Sequence, residues 1–252
     1  MSDGTTPRVV RLSLEGHVAT MALDPPGGRF GRATLEAIDR ACASLADDRD
    51  DVHVVVVEPA GADLGLGWDG ELPAGREGVG AFQALAALPQ PIVCAVRGRA
   101  LSAGLELALA CDVRVAERGA VLALPDVAEG RVPSGGGTQR LPRAVGVSQA
   151  LRLLLTAEAV DADEALRIGL VSEVAPAGGA AEAAQSVARR IAARGPVAIR
   201  FAKEAVSRGI ELPLSHGLRL EHDLTVLLQA TADREEGVRA FLERRPPRFE
   251  GR

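Results

Sequence analysis

Two carboxylates within residues 91–140 are the groups of this chain best suited to do chemistry. Glu106 lies in the apolar segment LSAGLELALACD, in the first turn of a helix that the sequence predicts to begin near Ala103. Asp126 follows the strand-like run VLAL and a proline. The unpaired N–H groups and the positive end of the dipole at a helix start favour an ionised carboxylate. Two acids beside such donors could move protons next to a carbonyl whose oxygen gains charge, which indicates an enzyme.

Both acids also have an ordinary structural interpretation. A glutamate in the first turn of a helix is often a cap or a solvated residue, and an aspartate beside proline is common in turns. The segment around Glu106 is otherwise apolar as far as Asp112, so its charge would lie against the core, where charged groups usually have a function. The pairing with Glu106 in turn favours a catalytic interpretation of Asp126.

The glycine-rich segment SGGGT, residues 134–138, has two interpretations. Glycine lets a backbone come close to a ligand, so this segment could hold a phosphate. However, no Lys-Ser or Lys-Thr pair follows it, and Gln139-Arg140 does not fit a phosphate loop. A tight packing turn at the entry of a helix is the favoured interpretation.

The remaining reactive residue types argue against a hydrolase and against a metal enzyme. The four histidines fall in no triad-like or metal-ligand pattern, and no serine lies in a Gly-x-Ser-x-Gly segment. Cys42, Cys94 and Cys111 lie in apolar runs without Cys-x-x-Cys spacing, which predicts buried free thiols rather than disulfides or a zinc site. We therefore expect no metal.

Composition and charge limit the partners of this chain. Of its 252 residues, 47% are hydrophobic, which is enough for a sizeable core, and the net charge of -5 arises from 29 basic and 34 acidic residues. Neither a nucleic-acid surface nor a membrane surface is indicated. The beginning MSDGTTPRVVRL lacks the apolar stretch of a secretory signal, and no run approaches the roughly 20 apolar residues of a membrane span. We expect a cytoplasmic enzyme whose partners are small molecules and copies of itself.

The elements that must position the two acids form an α/β pattern. Two strands flank Glu15-Gly16, and the unbroken apolar run at 52–59 predicts a strand that is covered on both faces. Strand, strand and helix recur along the first part of the chain, which predicts an α/β core whose successive units stack in a spiral. Further along, the pattern turns helical. We therefore divide the chain into a core at 1–195 and a helical oligomerisation region at 196–252 that packs on a partner subunit.

Three segments resemble the enoyl-CoA hydratase/isomerase family, also known as the crotonase family: AVRGRALSAGLELALACDVRVA, LPDVAEGRVPSGGGTQRLPRAVG and EALRIGLVSEV. The resemblance extends from about Val9 to Gly251. It implies a crotonase-like spiral of ββα units, a helical C-terminal trimerisation region, and a homo-oligomer that is a trimer or a dimer of trimers. It also implies an acyl-CoA thioester as substrate, an enolate-like state, and no cofactor, because CoA is part of the substrate.

The resemblance also implies a role for individual residues. Backbone N–H groups of Ala103 and Trp68 would hold the thioester oxygen; Ala103 is the middle residue of Ser102-Ala103-Gly104, where the family has three glycines. Glu106 matches the first catalytic glutamate of the hydratases, and Asp126 stands where they normally have a second one. The aspartate is shorter by one methylene, or about 1.5 Å of reach. By analogy, Glu106 is the base toward water and Asp126 is the acid that protonates the α-carbon.

Contacts with CoA itself follow less directly from the resemblance. The family often has a lysine shortly after an AGAD-like segment, where this chain has Gly70-Glu71. Near the C-terminus, AFLERRPPRF resembles a segment that reaches the CoA of a neighbouring subunit, which makes Phe241 and Arg244 candidate contacts, and Lys203 is a further candidate. An amphipathic helix end with solvated arginines is the alternative. The ring of Trp68 is expected to line the acyl pocket and to influence substrate choice.

Three functions remain open at this point. The first is addition of water to an enoyl-CoA, or the reverse reaction, which Glu106 favours over isomerisation because isomerases of the family often rely mainly on the second carboxylate. The second is isomerisation or another reaction of a specialised acyl-CoA. The third is a catalytically silent acyl-CoA-binding protein, for which the shortened Asp126 and the missing lysine argue.

Overall fold

The first two strands form the hairpin that the sequence predicts. The computed structural model of the chain describes residues 9–47, 51–70 and 77–252. Strands β1 (Val10–Glu15) and β2 (Val18–Leu23) pair in antiparallel orientation and are joined through Gly16. Gly16 has a φ of 56°, a left-handed value that glycine adopts at no steric cost, so the turn is tight.

The hairpin continues into a large, mostly parallel sheet. Its other strands are β3 (Val54–Pro59), β4 (Ile92–Val96), β6 (Val113–Glu117) and β9 (Glu173–Ala175). Within the described residues the sheet has six strands in the order β1-β2-β3-β4-β6-β9, and every pair after the hairpin is parallel. Almost every residue of β3 and β4 is buried, as the unbroken apolar runs predict for strands covered on both faces.

Alternate residues of this sheet face two separate cores. Val54 and Val56 pack on one face with helix α7 (Ala180–Ala192). Val55 and Val57 point to the other face. That face is covered by α1 (Arg32–Asp47), α2 (Glu77–Ala86) and α3 (Ala103–Ala110). Burial of each such valine contributes roughly 1.5–3 kcal/mol relative to an exposed position, so the two layers hold the sheet in place.

A second, small sheet carries the segments that hold the two acids. In the described ranges it consists of β5 (Arg99–Leu101), β7 (Val121–Ala123) and β8 (Val160–Asp161). Strands β5 and β7 are parallel, and β8 pairs with β7 in antiparallel orientation. Isolated bridges join Gly65 to Ala100 and Phe30 to Trp68. The sequence does not predict β5 and β8, because two or three residues are too few to show alternation.

The rest of the chain is mostly helical, as predicted. The remaining helices are α4 (Gly137–Val145), α5 (Val147–Thr156), α6 (Ala162–Arg167), α8 (Pro196–Gly209), α9 (Leu214–Gln229) and α10 (Ala232–Glu243). Helix α7 packs on the large sheet, whereas α8 and α9 pack on each other. Helix α8 begins at Pro196, since proline suits the first turn of a helix. The architecture is thus the predicted α/β spiral with a helical C-terminal region, and a domain boundary at residue 195 stays a prediction.

Among the described residues, no helix combines the length and the apolar character of a membrane span.

Lys203, on α8, connects the helical region to the core. Its ammonium lies 2.7 Å from Asp112 Oδ2 and donates a hydrogen bond to the backbone carbonyl of Gln90 at 2.9 Å. The same Asp112 oxygen accepts a hydrogen bond of 2.7 Å from the backbone N–H of Ile92, at the start of β4. Only 10% of the Lys203 side chain is exposed. A charge buried to this extent requires its partner, so the pair fixes the position of α8 on the core.

Replacing Asp112 by Asn should destabilise the fold by about 2 kcal/mol, because the buried Lys203 ammonium loses its counter-ion while an oxygen remains for the Ile92 N–H. Chemical denaturation measures the free energy of unfolding. Glu36→Gln is a suitable control, because its partner Arg40 is exposed and such pairs contribute less than about 1 kcal/mol. Equal effects of the two substitutions would contradict the anchoring role of Lys203.

Candidate active site

Helix α3 places Glu106 inside the core. Every residue of α3 is buried, and the Glu106 side chain is completely inaccessible to solvent. Its Oε1 atom accepts hydrogen bonds from the backbone N–H groups of Gly135, at 2.7 Å, and of Gly137, at 2.8 Å. Its Oε2 atom has no hydrogen-bond partner within the described residues. One oxygen is therefore anchored, and the other is free to accept a proton.

The glycine-rich segment at 134–138 is the turn that anchors Glu106. A Cβ atom at Gly135 would lie 2.8 Å from the ring of Phe82 and 2.9 Å from Glu106 Oε2. A Cβ atom at Gly137 would lie 3.0 Å from Glu106 Oε1. The interpretation as a packing turn is therefore confirmed, and the turn also binds an anion, which is the protein's own carboxylate. Sequence reasoning missed this role, because successive N–H groups in a glycine turn indicate an anion without identifying it.

Arg140 supports the same turn. Its Nη1 atom donates to the backbone carbonyl of Gly135 at 2.9 Å, and its Nη2 atom donates to Gln83 Oε1 at 3.0 Å. Burial lowers the pKa of Arg140, whereas the negative charge of Glu106 raises it, so the guanidinium lies within electrostatic reach of the acid. Arg140 was not among the site residues expected from the sequence, where the Gln-Arg pair only argued against a phosphate loop.

The surroundings of Glu106 shift its acidity. Burial raises the pKa of Glu106 above its ordinary value, because the ionised form loses hydration. The N–H groups of Gly137 and Gly135 oppose this increase, whereas the negative charge of Asp126 raises the pKa further. The Trp68 indole lowers it to a small extent, although its Nε1–H has no partner in hydrogen-bonding geometry within the described residues. The net increase brings Glu106 closer to the proton affinity that a general base needs near neutral pH.

Asp126 lies in a 3-10 turn, Pro125–Glu129, rather than in an irregular loop. Its side chain is buried, and its Oδ1 atom accepts a hydrogen bond of 2.7 Å from the Ser102 hydroxyl. Its Oδ2 atom has no partner in the described part of the chain. Ser102 links the two acids, because its carbonyl accepts a hydrogen bond of 2.9 Å from the Glu106 N–H while its hydroxyl donates to Asp126. The structure thus brings together the two acids that the sequence singles out.

The backbone of Trp68 is presented by a parallel bridge to Phe30. The Phe30 N–H donates to the carbonyl of Gly67 at 2.9 Å. The Asp69 N–H donates to the carbonyl of Phe30 at 3.0 Å, so the N–H of Trp68 itself points away from Phe30. Ala103 is the first residue of α3, where a helix leaves its N–H groups unpaired. Inside the described ranges, neither of these two N–H groups donates a backbone hydrogen bond.

Two close contacts bring these donors together. A Cβ atom at Gly65 would lie 2.9 Å from the Cα atom of Gly104, and one at Gly67 would lie 3.7 Å from the Ser102 Cβ atom. The segment that ends at Trp68 therefore touches the first turn of α3. Two free N–H groups on adjoining backbone segments can stabilise an oxygen that gains negative charge.

Three aromatic rings enclose the site. Trp68 stacks on Phe82 with 5.7 Å between ring centroids, and Phe82 meets Phe30 edge-on at 5.9 Å. All three side chains are buried. Phe82 lies beside Glu106, since a Cβ atom at Gly135 would touch both side chains. Such apolar surface lowers the local dielectric constant and strengthens electrostatic interactions of Glu106.

The three residues expected to contact CoA lie elsewhere in the chain. Phe241 is 81% exposed on α10, and Arg244 follows that helix with a left-handed φ of 54°. The ammonium of Lys203 is bound by Asp112 and by the Gln90 carbonyl, and with only 10% of its side chain exposed it presents little surface to CoA. Within the described residues, no hydrogen bond or ion pair links any of the three to the two acids. Glu71, which replaces the expected lysine, lies outside the described residues.

The cysteines are free and buried, as predicted. Burial, together with the charge of Asp39, raises the pKa of Cys42 to about 12. Contact with Cys94, together with burial, raises the pKa of Cys111. The thiols of Cys42 and Cys111 therefore stay protonated and are not nucleophiles. Among the described residues, no group of three or more His, Cys, Asp and Glu side chains is placed to hold a metal ion.

Comparison with known proteins gives one consistent result. A sequence profile for "Enoyl-CoA hydratase/isomerase" matches residues 34–252. The chain is 45% identical to the 2,3-dehydroadipyl-CoA hydratase of Escherichia coli, over 67% of this chain and 66% of that protein. It is 39% identical to the crotonyl-CoA hydratase of Syntrophomonas wolfei, over 94% and 96% of the two chains. An enoyl-CoA hydratase structure from Bacillus anthracis has a TM-score of 0.92 at 33% identity and covers 97% of this chain and 100% of that one.

Several matches of high identity are partial, since this chain spans about two thirds or less of those relatives' own length. Others extend over nearly the whole of both chains. The resemblance inferred from three sequence segments is confirmed.

Glu106→Gln should stabilise the fold at neutral pH. Folding raises the pKa of Glu106, so the folded chain holds this proton more tightly than the unfolded chain. The contribution of Glu106 to stability is therefore complete below the pKa of an unfolded glutamate and is lost as the pH rises through the folded-state pKa. Glutamine keeps an oxygen for the N–H groups of Gly135 and Gly137 but carries no charge. The variant should therefore melt at a higher temperature than the wild type at about pH 8 and lose that advantage at about pH 4. Thermal unfolding at both pH values tests this, and an advantage independent of pH would contradict it.

Proposed function

Because the chain belongs to the enoyl-CoA hydratase/isomerase family, we propose that it adds water to the double bond of a 2-enoyl-CoA thioester, or removes water in the reverse direction. One observation carries this proposal: Glu106 and Asp126 each have one oxygen held by the protein and one buried oxygen without a partner in the described residues. Buried polar atoms need partners, and a water molecule held between two acids supplies them. The hydratase names of the curated relatives support the same reaction.

The reaction can be written with groups of this chain. The thioester oxygen accepts hydrogen bonds from the N–H groups of Ala103 and Trp68. Glu106 removes a proton from water as the water oxygen bonds to the β-carbon, and the electron pair of the double bond moves to the thioester oxygen, where the two N–H groups stabilise the enolate. Asp126 then gives a proton to the α-carbon, and the carbonyl bond re-forms. The cycle begins with Glu106 ionised and Asp126 protonated. Transfer to Asp126 of the proton that Glu106 took from water restores that state, so no cofactor is needed besides the CoA of the substrate.

The environment of Glu106 favours hydration over isomerisation. Isomerisation moves one proton between two carbons of the substrate, which a single acid can do, whereas addition of water needs a second group to activate the water. Glu106 is anchored at one oxygen by two N–H groups and has its pKa raised by burial. An enzyme that used Asp126 alone would have no need of such a base.

The aromatic rings favour a short acyl group. The residue that supplies one N–H donor, Trp68, also carries the largest side chain of the site, and this indole lies stacked on Phe82 beside the acids. The two rings occupy space next to the reacting carbons. We infer that turnover declines as the acyl chain lengthens.

Purified protein should consume a short 2-enoyl-CoA, measured as loss of absorbance of the conjugated thioester. Glu106→Gln should lower kcat by about 100- to 10,000-fold, because general acid–base catalysis contributes that much. Ser172→Ala, which removes a hydroxyl from an exposed residue before β9, should leave kcat unchanged.

A panel of chain lengths completes this experiment. No turnover with any chain length would contradict hydration. Migration of the double bond without addition of water would identify an isomerase, and calorimetric binding of CoA esters without turnover would identify a silent acyl-CoA-binding protein.

Exposed apolar side chains support a homo-oligomer. Large apolar residues that are more than half exposed occur on each of the last three helices and just after α8: Val206, Ile210, Leu214, Leu218, Val226, Leu227, Phe241 and Leu242. A concentration of such residues usually marks an interface. We therefore propose that the chain forms a trimer or a dimer of trimers, as the family resemblance implies.

Phe241 and Arg244 are proposed to contact the CoA of a neighbouring subunit. Arg245 is already held by Glu236 and Glu243, each at 2.6 Å. Arg244, by contrast, makes no ion pair within the described residues. An arginine without a carboxylate partner beside an exposed ring is available to bind a phosphate.

A cytoplasmic location is also proposed. The three free, buried thiols suit a reducing compartment, where cysteines remain unpaired. Cell fractionation with an antibody against the chain tests this assignment.

Two defective variants should complement each other in mixed oligomers. Arg244→Ala should raise KM for an enoyl-CoA roughly tenfold through loss of a charge-assisted hydrogen bond, and Glu106→Gln should lower kcat at least about 100-fold, as above. If Arg244 reaches the neighbouring subunit, mixed oligomers contain sites in which Glu106 and Arg244 are both intact. Co-expression should then give a component with the KM of the wild type, in particles whose mass is three or six times 26.1 kDa. Simple averaging of the two activities, or a monomer on sedimentation, would contradict the proposal.

A further inference from the structure

Ser102 has a backbone conformation that is unusual for any residue other than glycine. Its φ of 48° and ψ of -113° lie outside the left-handed helical well, in which the other non-glycine residues with positive φ in the described ranges, Ala157 and Arg244, are found. A side chain at such a position is strained. Glycine is free of this strain, and glycine is what the family resemblance leads one to expect here. A strained serine at a position that suits glycine indicates that the serine side chain has a function.

The hydroxyl of Ser102 does not do what a serine at the start of a helix ordinarily does. Serine at this position usually caps the helix by accepting a hydrogen bond from an N–H group of the first turn. Here there is no such side-chain cap, and the hydroxyl instead donates to Asp126 Oδ1 at 2.7 Å. Both side chains are buried, with 4% of Ser102 and 1% of Asp126 exposed. The hydrogen bond is therefore protected from competition by water.

Two departures from the family pattern meet in this one contact. The family pattern has glycine at the position of Ser102 and glutamate at the position of Asp126. The serine adds a hydroxyl, the aspartate lacks one methylene, and a single hydrogen bond joins the two changed side chains.

We propose that Ser102 is a positioning residue that makes the shorter Asp126 an effective acid. Its hydroxyl fixes Oδ1, which sets the direction of the carboxyl group and leaves Oδ2, the oxygen without a partner in the described residues, to carry the transferred proton. Ser102 does not touch the substrate and acts only through Asp126. This inference rests on the proposed hydration, in which Asp126 delivers a proton to the α-carbon.

Ser102 is adjacent in sequence to Ala103, which supplies one of the two proposed N–H donors to the thioester oxygen. The N–H of Ala103 donates no backbone hydrogen bond within the described residues and is available to that oxygen. The same turn of the chain therefore presents the oxyanion donor and aligns the acid.

Four variants test the proposal: Ser102→Ala, Ser102→Gly, Asp126→Glu, and the double variant Ser102→Gly with Asp126→Glu. Both single substitutions of Ser102 should lower kcat roughly 10- to 100-fold with KM changed less than about threefold, because loss of alignment affects the chemical step. Asp126→Glu alone should be similarly impaired, because the longer side chain meets the Ser102 hydroxyl. The double variant restores the glycine–glutamate pair and should recover kcat to within about threefold of the wild type, a strong departure from additivity.

The controls separate positioning from folding. Ser102→Gly removes the backbone strain, so its loss of kcat cannot be attributed to a strained or unfolded chain, and circular dichroism verifies the fold of each variant. Ser172→Ala should again match the wild type.

Two results would overturn the inference while leaving hydration intact: wild-type kcat in both Ser102 variants, or effects of Ser102→Gly and Asp126→Glu that simply multiply in the double variant. Absence of hydration by the wild type would overturn the proposed function and this inference together, so the two failures are distinguishable.

Discussion

The buried charge of Glu106 is the constraint on which the rest of the site depends. A carboxylate inside an apolar core is unfavourable unless hydrogen bonds offset its lost hydration. Gly135 and Gly137 supply those bonds to one oxygen, and they come close enough only because neither has a side chain. The glycine turn before α4 is thus required by an acid in α3 that lies 29 and 31 residues away in sequence. Because the second oxygen is left without such bonds, the anchoring fixes the acid without neutralising its basicity.

The small sheet brings the other groups of the site together near Glu106. Ala103 follows β5 closely and Asp126 follows β7, two parallel strands whose ends lie at the same edge. The bridge between Gly65 and Ala100 attaches the segment that leads to Trp68 to the same sheet. Functional groups at the carboxyl ends of parallel strands converge, as they do in open α/β sheets. Strands of two or three residues suffice because Ala100, Leu122 and Val160 are buried in the main hydrophobic core.

The sequence predicts the long elements and the two acids, but not the contacts that join them. Helical spacing and apolar runs are visible over many residues, so the hairpin, the buried strands and most helices are predicted. Glu106 is recognisable because it is the one charge in an apolar helix. The role of the glycine turn is not predictable, since its bound anion is a distant side chain. The bond between Ser102 and Asp126 joins residues 24 apart and needs a backbone conformation that ordinarily indicates glycine.

Several unfavourable features of the fold lie at the same site. Trp68 Nε1, Glu106 Oε2 and Asp126 Oδ2 are buried polar atoms without a partner in the described residues, and Ser102 has a strained backbone. Each lowers stability, whereas the surrounding layers consist of fully buried valine, leucine and alanine side chains. Selection for stability alone would remove such features. Their presence in one cluster is explained if the site must receive water and a polarised carbonyl, because atoms already satisfied by the protein could not serve the substrate.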